Sequence, residues 1–456
     1  MIANMTEEYT ILSNKTSKFR NNNQFPSRIN TNDDSVPEVF KDYKYPVTAW
    51  PILINKEMTE QLRELSYKVP KLIHKIPSLY FNNDTKKIAD FYFDGNEILA
   101  EFGMMCHDKN VQIGSRLDLT YTDDGFKILE VNMGSSLGGW QVHNLESVIR
   151  RNHPELCDDD KSCNYKTRNT LEIYMKYLIE QIIKQVGKQN DTLNLFIDIR
   201  DIEDAEKNKH ISFFDDLYQK ELKKKGLKGN AYTADVNSLQ LVNGDLCLKD
   251  KTIHGVIFLS LDVEISPEIF RAFIMDKIYF PDHVGLRMLG DKRNLAILRE
   301  LAQAGKFSPE DNELMLKNIP WTSPVENKTT IFKGKEIHLF DLLKNNKDKF
   351  VIKAARGYQG KDVFIGKFQS DNEWEEILET ASKNGFFIAQ EFSDSLGFMA
   401  PNEENEWTPH KLIWGAFGFG DFYGGVWVRM SEVKTDIGVI NSATGAVEAI
   451  VYEILN

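Results

Sequence analysis

Two alternating segments separated by Asp123-Asp124-Gly125 constrain the fold of this chain more than any other part of its sequence. The loop composition predicts a three-residue β-hairpin connection with glycine in the left-handed position. With that loop, Asp118 lies across from Glu130. The same register places Arg116 across from Asn132. Because side chains alternate along a strand, these four polar residues share one face of the hairpin. The opposite face is predicted to be apolar and to pack into the core, with Leu117, Leu119, Leu129 and Val131.

The polar face of this hairpin has the composition of a magnesium site. Hard cations take oxygen ligands, commonly one or two carboxylates together with phosphate oxygens and water. Asp118, Glu130 and Asn132 can supply such oxygens. The Arg116 guanidinium beside them can bind a phosphate or a carboxylate through two N–H groups. The alternative interpretation is a solvated hairpin face that carries a cross-strand ion pair.

A loop of small residues follows the hairpin, from Met133 to Trp140. Its free backbone N–H groups can bind an anion in a nest of amides. The alternative is a tight turn that leads into a helix. The position of the loop directly after the predicted metal ligands favours a functional role.

A second group of motifs begins with the segment Phe350–Gly366, which has the pattern strand, glycine loop, strand. Lys353 leaves the first strand and can reach phosphate oxygens, and the glycines allow the backbone to approach and flex over a triphosphate. The segment is not a Walker A loop, because GxxxxGK[ST] is absent. Many ordinary hairpins share this pattern, which is the alternative.

Two further strands complete this second group. The apolar strand Phe386–Phe392 ends in a polar pair and can present backbone groups to an adenine edge between apolar walls. It can equally be a buried strand that reaches the surface. The strand Gly424–Ser431 carries Arg429, which could stabilise charge on a transferring phosphoryl group.

The length of 456 residues predicts two or three domains. Residues 1–37 lack periodic apolar positions and are predicted to form a flexible tail, or an arm that orders on a neighbour or over the active site. Residues 38–188 contain the hairpin. Residues 189–285 alternate strand, helix and strand, which predicts an α/β unit. Residues 286–456 carry the second group of motifs in an α+β part.

The net charge of −12 argues against nucleic acid as the main partner, because phosphate contacts need a basic face. No segment approaches the roughly eighteen apolar residues that span a membrane, and the N-terminus lacks the apolar region of a signal peptide. The four cysteines are scattered without metal-binding spacing and suit a reducing compartment. These features predict a cytoplasmic protein.

Together the motifs resemble the ATP-grasp superfamily, and more narrowly its circularly permuted branch, which includes the synthetase domain of glutathionylspermidine synthetases. The R-x-D motif at 116–118 and the E-x-N motif at 130–132 match that family at the same spacing. The passage Leu289–Lys292 with Ile319–Thr322 is similar to the family's lysine-helix-IPWT passage. The order of the motifs also resembles the permuted branch, because the E-x-N strand precedes the nucleotide-binding lysine.

The resemblance implies a mixed α+β and α/β fold, namely a circularly permuted ATP-grasp fold with a Rossmann-like pre-ATP-grasp α/β domain. It implies ATP and Mg²⁺ as cofactors, and an acyl phosphate that is passed to an amine. Two departures, Ala354 after the lysine and Gln359 before Gly360, put the contacts of the lid in question. No amidase domain is recognisable. The implicated residues are Arg116 and Arg429 in catalysis, Asp118, Glu130 and Asn132 in metal binding, Lys292, Lys353, Gly357, Gly360, Gln390, Glu391 and Phe392 in nucleotide binding, and Ser135 and Ser136 beside the acyl substrate.

The leading functional prediction is an ATP-dependent carboxylate–amine ligase. A ligase acting on a peptide side chain would need the same site, and a phosphotransferase would use the same grip on ATP without forming an amide. A nucleotide-binding protein without catalysis is disfavoured, because all three metal ligands and both lysines are retained. The sequence identifies neither the acid nor the amine, each a small molecule or a peptide. The oligomeric state also stays open, with a homodimer as one possibility.

Overall fold

The structure is a computed structural model that describes residues 6–19, 26–156, 164–187, 191–260, 265–357, 362–404, 406–433 and 440–455. Helices and strands are numbered in chain order. The helices are α1 (Glu7–Lys18), α2 (Lys56–Ile73), α3 (Ile76–Leu79), α4 (Thr85–Tyr92), α5 (Glu97–Asp108), α6 (Glu146–Asn152), α7 (Thr170–Val186), α8 (Asp204–Lys224), α9 (Pro267–Ile274), α10 (Leu286–Leu289), α11 (Asn294–Gln303), α12 (Pro309–Asn318), α13 (Leu339–Asn345) and α14 (Asp371–Asn384). The strands are β1 (Ile52–Ile54), β2 (Gly114–Thr122), β3 (Gly125–Met133), β4 (Tyr165–Lys166), β5 (Leu195–Asp198), β6 (Ala231–Tyr232), β7 (Leu239–Val242), β8 (Asp245–Leu248), β9 (Lys251–Thr252), β10 (Gly255–Phe258), β11 (Thr322–Pro324), β12 (Thr329–Phe332), β13 (Lys335–His338), β14 (Phe350–Ala354), β15 (Val363–Ile365), β16 (Phe387–Glu391), β17 (Phe398–Pro401), β18 (Trp407–Phe419), β19 (Phe422–Glu432) and β20 (Val447–Ile454).

The largest sheet joins strands from both ends of the described chain. Its order is β1-β20-β19-β18-β2-β3, with β17 beside β18 and β4 beside β20. All pairs are antiparallel except β1 with β20. The sheet therefore combines strands from the two predicted parts 38–188 and 286–456, which contribute to one layer rather than to separate cores.

Two helices cover this sheet from opposite sides. On one face, the backbone of α2 packs so closely on β18 at Gly418 that a side chain there would meet the Ser66 carbonyl. On the other face, α7 packs Tyr174 against Phe419 of β18. Helix α2 begins at its cap Asn55 and continues past Pro70 to Ile73. A proline in the last turn removes only one helical hydrogen bond, so the helix does not end there.

The predicted α/β unit contains a three-stranded parallel sheet in the order β10-β5-β6. The predicted order of strand, helix and strand is present as β5, α8 and β10, and β5 and β10 are parallel neighbours, which need a crossover connection. Helix α8 ends two residues before Gly226, whose φ is +71°. An antiparallel meander of β7, β8 and β9 lies between β6 and β10 in the chain.

A smaller antiparallel sheet, in the order β11-β16-β14-β15, has a hydrophobic core of its own. Two tryptophans, Trp321 and Trp374, anchor this core together with side chains from α13 and α14. In this sheet Val351 of β14 pairs with Gln390 of β16, so the predicted lysine strand and the predicted hinge strand are neighbours. The architecture is thus a mixed α+β fold with several sheets, and no described helix has the length and apolar character needed to cross a membrane.

The N-terminal segment differs from its prediction. Residues 1–37 were expected to form a flexible tail, but α1 is a helix that buries Tyr9 and Leu12 completely or nearly so. The Tyr9 ring stacks on Tyr121 at 5.0 Å, and its hydroxyl accepts a hydrogen bond from Trp414 Nε1 at 3.2 Å. Within α1, the buried large apolar residues are Tyr9 and Leu12. Two such positions in a polar stretch do not form a recognisable helical pattern of apolar residues.

We expect Leu12→Ala to lower the free energy of unfolding by about 2–4 kcal/mol, because it removes a buried side chain from the contact of α1 with the large sheet. Its neighbour Ile11 is 48% exposed and provides the matched control. Ile11→Ala should change the same quantity by less than about 0.5 kcal/mol. Urea unfolding followed by tryptophan fluorescence measures both, and equal effects of the two substitutions would contradict the docking of α1.

Candidate active site

The predicted hairpin exists, but its turn and its register differ from the prediction. Strand β2 ends at Thr122, which pairs with Gly125 across a two-residue turn rather than with Phe126. A bulge at Leu129 then shifts the register by one residue. Beyond this bulge, the polar residues of the two strands pair as the sequence predicts. Asp118 pairs with Glu130 and Arg116 with Asn132, as expected. Because of the bulge, Leu129 lines a cleft instead of packing into the core. Ile128 is buried in its place.

Asp118 is held between two arginines. Its Oδ1 accepts from Arg116 Nε at 2.7 Å, and its Oδ2 accepts from Arg116 Nη2 at 3.1 Å and from Arg429 Nη2 at 2.9 Å. All three side chains are nearly buried, with 10–12% of each exposed. Burial raises the pKa of the Asp118 carboxyl, but the charges of Arg116 and Arg429 outweigh it and hold that pKa at about 2. The aspartate is therefore ionised and fully engaged by guanidinium groups.

Glu130 lies one strand away and pairs with a lysine. Lys292 Nζ lies 3.1 Å from Glu130 Oε1 and donates to the Gly357 carbonyl at 2.9 Å. In the orientation that satisfies both ends of its amide, Asn132 donates to Glu130 at 3.2 Å and accepts from Arg116 Nη2 at 3.3 Å. The predicted residues of the hairpin and of the lysine passage therefore meet in one polar network.

Lys353 enters the same region from the smaller sheet. Its Nζ donates to Gln390 Oε1 at 2.7 Å and to the Leu129 carbonyl at 3.2 Å. Gln390 in turn donates to Thr322 Oγ1 at 3.2 Å. The pKa of Lys353 is lowered to about 8. Burial is the main cause, Glu130 opposes the shift, and Lys292 acts in the same direction as burial. The ammonium group is thus held by neutral acceptors in a largely desolvated position.

An open cleft of about 940 Å³ separates the large sheet from the smaller one. Its charged lining residues include Asp118, Glu130, Lys353, Lys411 and Arg429. Its apolar and small lining residues include Val351, Val363, Ile365, Phe392, Ser393 and Ser395. The cleft therefore brings together two groups of motifs that are more than two hundred residues apart in the chain.

The backbone of the predicted hinge is partly engaged within the protein. The Glu391 N–H donates to the Trp321 carbonyl at 2.7 Å, and the Phe392 N–H donates to the Lys349 carbonyl at 2.7 Å. These two N–H groups consequently serve the smaller sheet and its connections. Gln390, Glu391 and Phe392 nevertheless line the cleft, and their role in nucleotide binding stays a prediction.

Ser135 and Ser136 do not line this cleft. The Ser135 N–H donates to Asp282 at 2.7 Å, and the Ser136 hydroxyl donates to the Leu259 carbonyl at 3.0 Å. Both contacts dock the loop onto the parallel sheet of the α/β unit, because Leu259 follows β10. Of the predicted lid glycines, Gly357 contacts Lys292, and Gly360 lies outside the described residues.

Sequence analysis missed several residues of the site. Trp427 lies two residues before Arg429 on β19 and therefore on the same face of the sheet. Lys411 lines the cleft and pairs with Asp394 at 2.6 Å. Glu448, directly across from Arg429 on β20, is buried, and burial raises its pKa. Alternation from Arg429 could have identified Trp427, but the pairing of β19 with β20 has no local signal.

The donor set fits a divalent cation only in part. Among the described residues, no group of three or more His, Cys, Asp or Glu side chains is arranged to hold a metal ion. Asp118 has both carboxylate oxygens committed to arginines. Glu130 is 30% exposed at its side chain and has Asn132 beside it. Since Mg²⁺ commonly takes one or two protein oxygens and completes its shell with phosphate and water, Glu130 and Asn132 fit it better than Asp118 does.

We expect Asp118→Asn to lower the free energy of unfolding by about 3 kcal/mol, because two buried guanidiniums would lose their counter-charge. In the unsubstituted protein, the stability contributed by ionised Asp118 is present above pH 4 and is lost as the pH falls towards 2. The reason is that the pKa of Asp118 in the folded protein lies below the ordinary value of 3.8. Glu379→Gln, which removes an exposed ion pair with Lys383, is the control and should have no measurable effect. Urea unfolding at several pH values tests both, and a stable Asp118→Asn variant would contradict the assignment.

Comparisons with known proteins show a likeness in fold. No protein family and no curated protein matches the sequence. Among solved structures, a glutathione synthetase-like effector from Globodera pallida, determined in its apo form, matches with a TM-score of 0.58. The match covers 98% of each chain at 14% sequence identity. The chain therefore shares its fold, over nearly its whole length, with a glutathione synthetase-like protein.

Proposed function

We propose that the protein is an ATP-dependent carboxylate–amine ligase, and that the cleft between its two sheets binds the nucleotide. The observation that supports this proposal best is the convergence of Lys353, Lys292, Arg116 and Arg429 around Asp118 and Glu130, two carboxylates that line the cleft. These four cations come from three strands and the segment before α11, and together they suit a polyphosphate. The whole-length likeness to a glutathione synthetase-like fold supports an ATP-grasp-like ligase over other nucleotide-binding classes.

In this proposal the triphosphate binds against the charged lining residues of the cleft, and the adenine binds against its apolar lining residues. Lys353 exchanges its amide and carbonyl acceptors for phosphate oxygens. Lys292 likewise exchanges its contact with Glu130 for phosphate oxygens. The Glu130 carboxylate is then free to bind a cation. A bound Mg²⁺, held by Glu130 and Asn132, would neutralise phosphate charge. The adenine edge would meet the segment from Phe392 to Ser395, since the N–H groups of Glu391 and Phe392 are engaged.

The proposed reaction has two steps. A carboxylate oxygen of the acid attacks the γ-phosphorus, the bond to the β-phosphate oxygen breaks, and ADP leaves. The nitrogen of an unprotonated amine then attacks the acyl carbon, inorganic phosphate leaves, and the nitrogen gives up a proton to form the amide. Arg116 and Arg429, already paired by Asp118, would face the developing negative charge in both steps. The acid and the amine are each a small molecule or a peptide side chain.

The first experiment measures ADP release with ATP and Mg²⁺ over a panel of amino acids, short peptides, glutathione and polyamines, with product masses recorded. We expect ADP to form only when an acid and an amine are both present, with a product lighter than the sum of its substrates by one water. Lys353→Met should abolish the activity, whereas Lys383→Met, an exposed lysine on α14, should retain it. A single phosphorylated product without an amine would replace the ligase with a phosphotransferase.

ATP binding should also depend on pH through Lys353. Its pKa is lowered to about 8, so the ammonium charge is present below that pH and is lost as the pH rises through it. We therefore expect the dissociation constant of ATP to increase about tenfold for each pH unit above 8. Lys353→Arg keeps its charge throughout this range and should give a flat profile. Equal pH profiles for the two proteins, measured by calorimetric titration, would show that Lys353 does not contact the phosphates.

A further inference from the structure

Two guanidinium groups lie side by side in the buried site, although they repel each other. Asp118 accepts hydrogen bonds from both guanidiniums, and Glu448 lies across from Arg429 on β20. Arginine side chains have several rotatable bonds, and one shared aspartate does not restrict all of them. A second contact that both guanidiniums share would restrict them further.

Trp427 makes that second contact with both arginines. The guanidinium carbon of Arg116 lies 5.3 Å from the Trp427 ring centre, and that of Arg429 lies 4.7 Å from it. Both distances fall within the range of a cation–π interaction. The indole is only 4% exposed, so its position is restricted by packing. It is an aromatic surface shared by two like charges.

The sheet makes room for this ring through a missing side chain. Gly415 of β18 lies between Asp118 of β2 and Trp427 of β19 in one row across the sheet. A Cβ atom at position 415 would come within 2.6 Å of Trp427 Cε3 and within 3.3 Å of Arg116 Cδ. The indole therefore crosses the space above Gly415 and reaches an arginine two strands away.

The glycine loop after the hairpin packs against the same ring. Gly139 has a φ of +98°, and a Cβ atom there would come within 2.6 Å of Trp427 Cδ2. A residue with a side chain is thus excluded by backbone conformation and by space. The adjacent Gly138 carbonyl accepts from Arg116 Nη1 at 2.7 Å. The loop consequently holds the indole and the Arg116 guanidinium at the same time.

We propose that Trp427 is a positioning residue that keeps Arg116 and Arg429 together as one preformed receptor for the anionic centre of the reaction. The clamp consists of Trp427, the space above Gly415 and the loop at Gly139. The inference rests on the proposed function only for the role of the arginines, because the contacts themselves do not involve a substrate. The aromatic side chain at position 427 therefore holds the two arginines in addition to packing in the hydrophobic core.

The test follows the guanidinium protons directly, in protein labelled with ¹⁵N-arginine. The Nε–H signals of the two arginines are assigned from their loss in Arg116→Lys and Arg429→Lys. We expect Trp427→Leu to increase the solvent exchange rate of both protons by at least about tenfold, because the aromatic contact is removed. Trp427→Phe keeps an aromatic face and should restore most of the protection. Gly415→Ala, which displaces the indole, should act in the same direction as Trp427→Leu.

Trp414→Phe is the matched control, because Trp414 is a buried tryptophan of the same sheet whose side chain points to the opposite face. It should alter thermal stability without altering arginine exchange. Unchanged exchange in Trp427→Leu, or equal changes in the Trp414 variant, would overturn the proposal. Where the ligase is active, Trp427→Leu should also lower kcat/KM for the acid, and Trp427→Phe should restore most of it. Protected arginines without any ADP formation would instead refute the proposed function and leave the role of Trp427 intact.

Discussion

The arrangement of the candidate site depends on one buried ion cluster, in which Asp118 is shared by Arg116 and Arg429. Removing charges from water is costly, and the cost is offset only when each charge has close partners with good geometry. Here the partners come from β2 and β19, which are separated in the sheet by β18. The cluster can therefore form only after three strands have paired in the correct register. The bulge at Leu129 is part of the same requirement, because it keeps Glu130 beside this cluster.

The smaller sheet contributes a lysine and an amide side chain to the candidate site. Lys353 and Gln390 lie on neighbouring strands of the smaller sheet, which has its own hydrophobic core and faces the polar side of the hairpin across the cleft. Lysine pairing with a neutral amide and a carbonyl is weaker than pairing with a phosphate, so the site favours an exchange of partners when an anion enters. Lys292 also connects the two sheets, since it contacts Glu130 of the large sheet and the Gly357 carbonyl in the segment that follows β14 of the smaller sheet.

Much of the site follows from local patterns in the sequence, and the remainder depends on packing between distant segments. Alternation predicted the shared face of Arg116, Asp118, Glu130 and Asn132 correctly, because a hairpin is a local structure. The same reasoning placed Leu129 in the core, since a bulge has no reliable sequence signal. The helix at residues 7–18 was missed for a related reason. Its few apolar residues become significant only against strands at the other end of the chain.

That dependence on distant strands has a consequence for how the protein is made. Strand β1 pairs with β20, with Ile52 beside Val451, and the Ser13 hydroxyl donates to the Met399 carbonyl. Contacts between such distant residues are slow to form, because a very long loop must close first. During synthesis the N-terminal helix and β1 leave the ribosome before their partners exist. The central sheet is completed only when β20 is available, so the nascent chain exposes unpaired strand edges until that strand has left the ribosome.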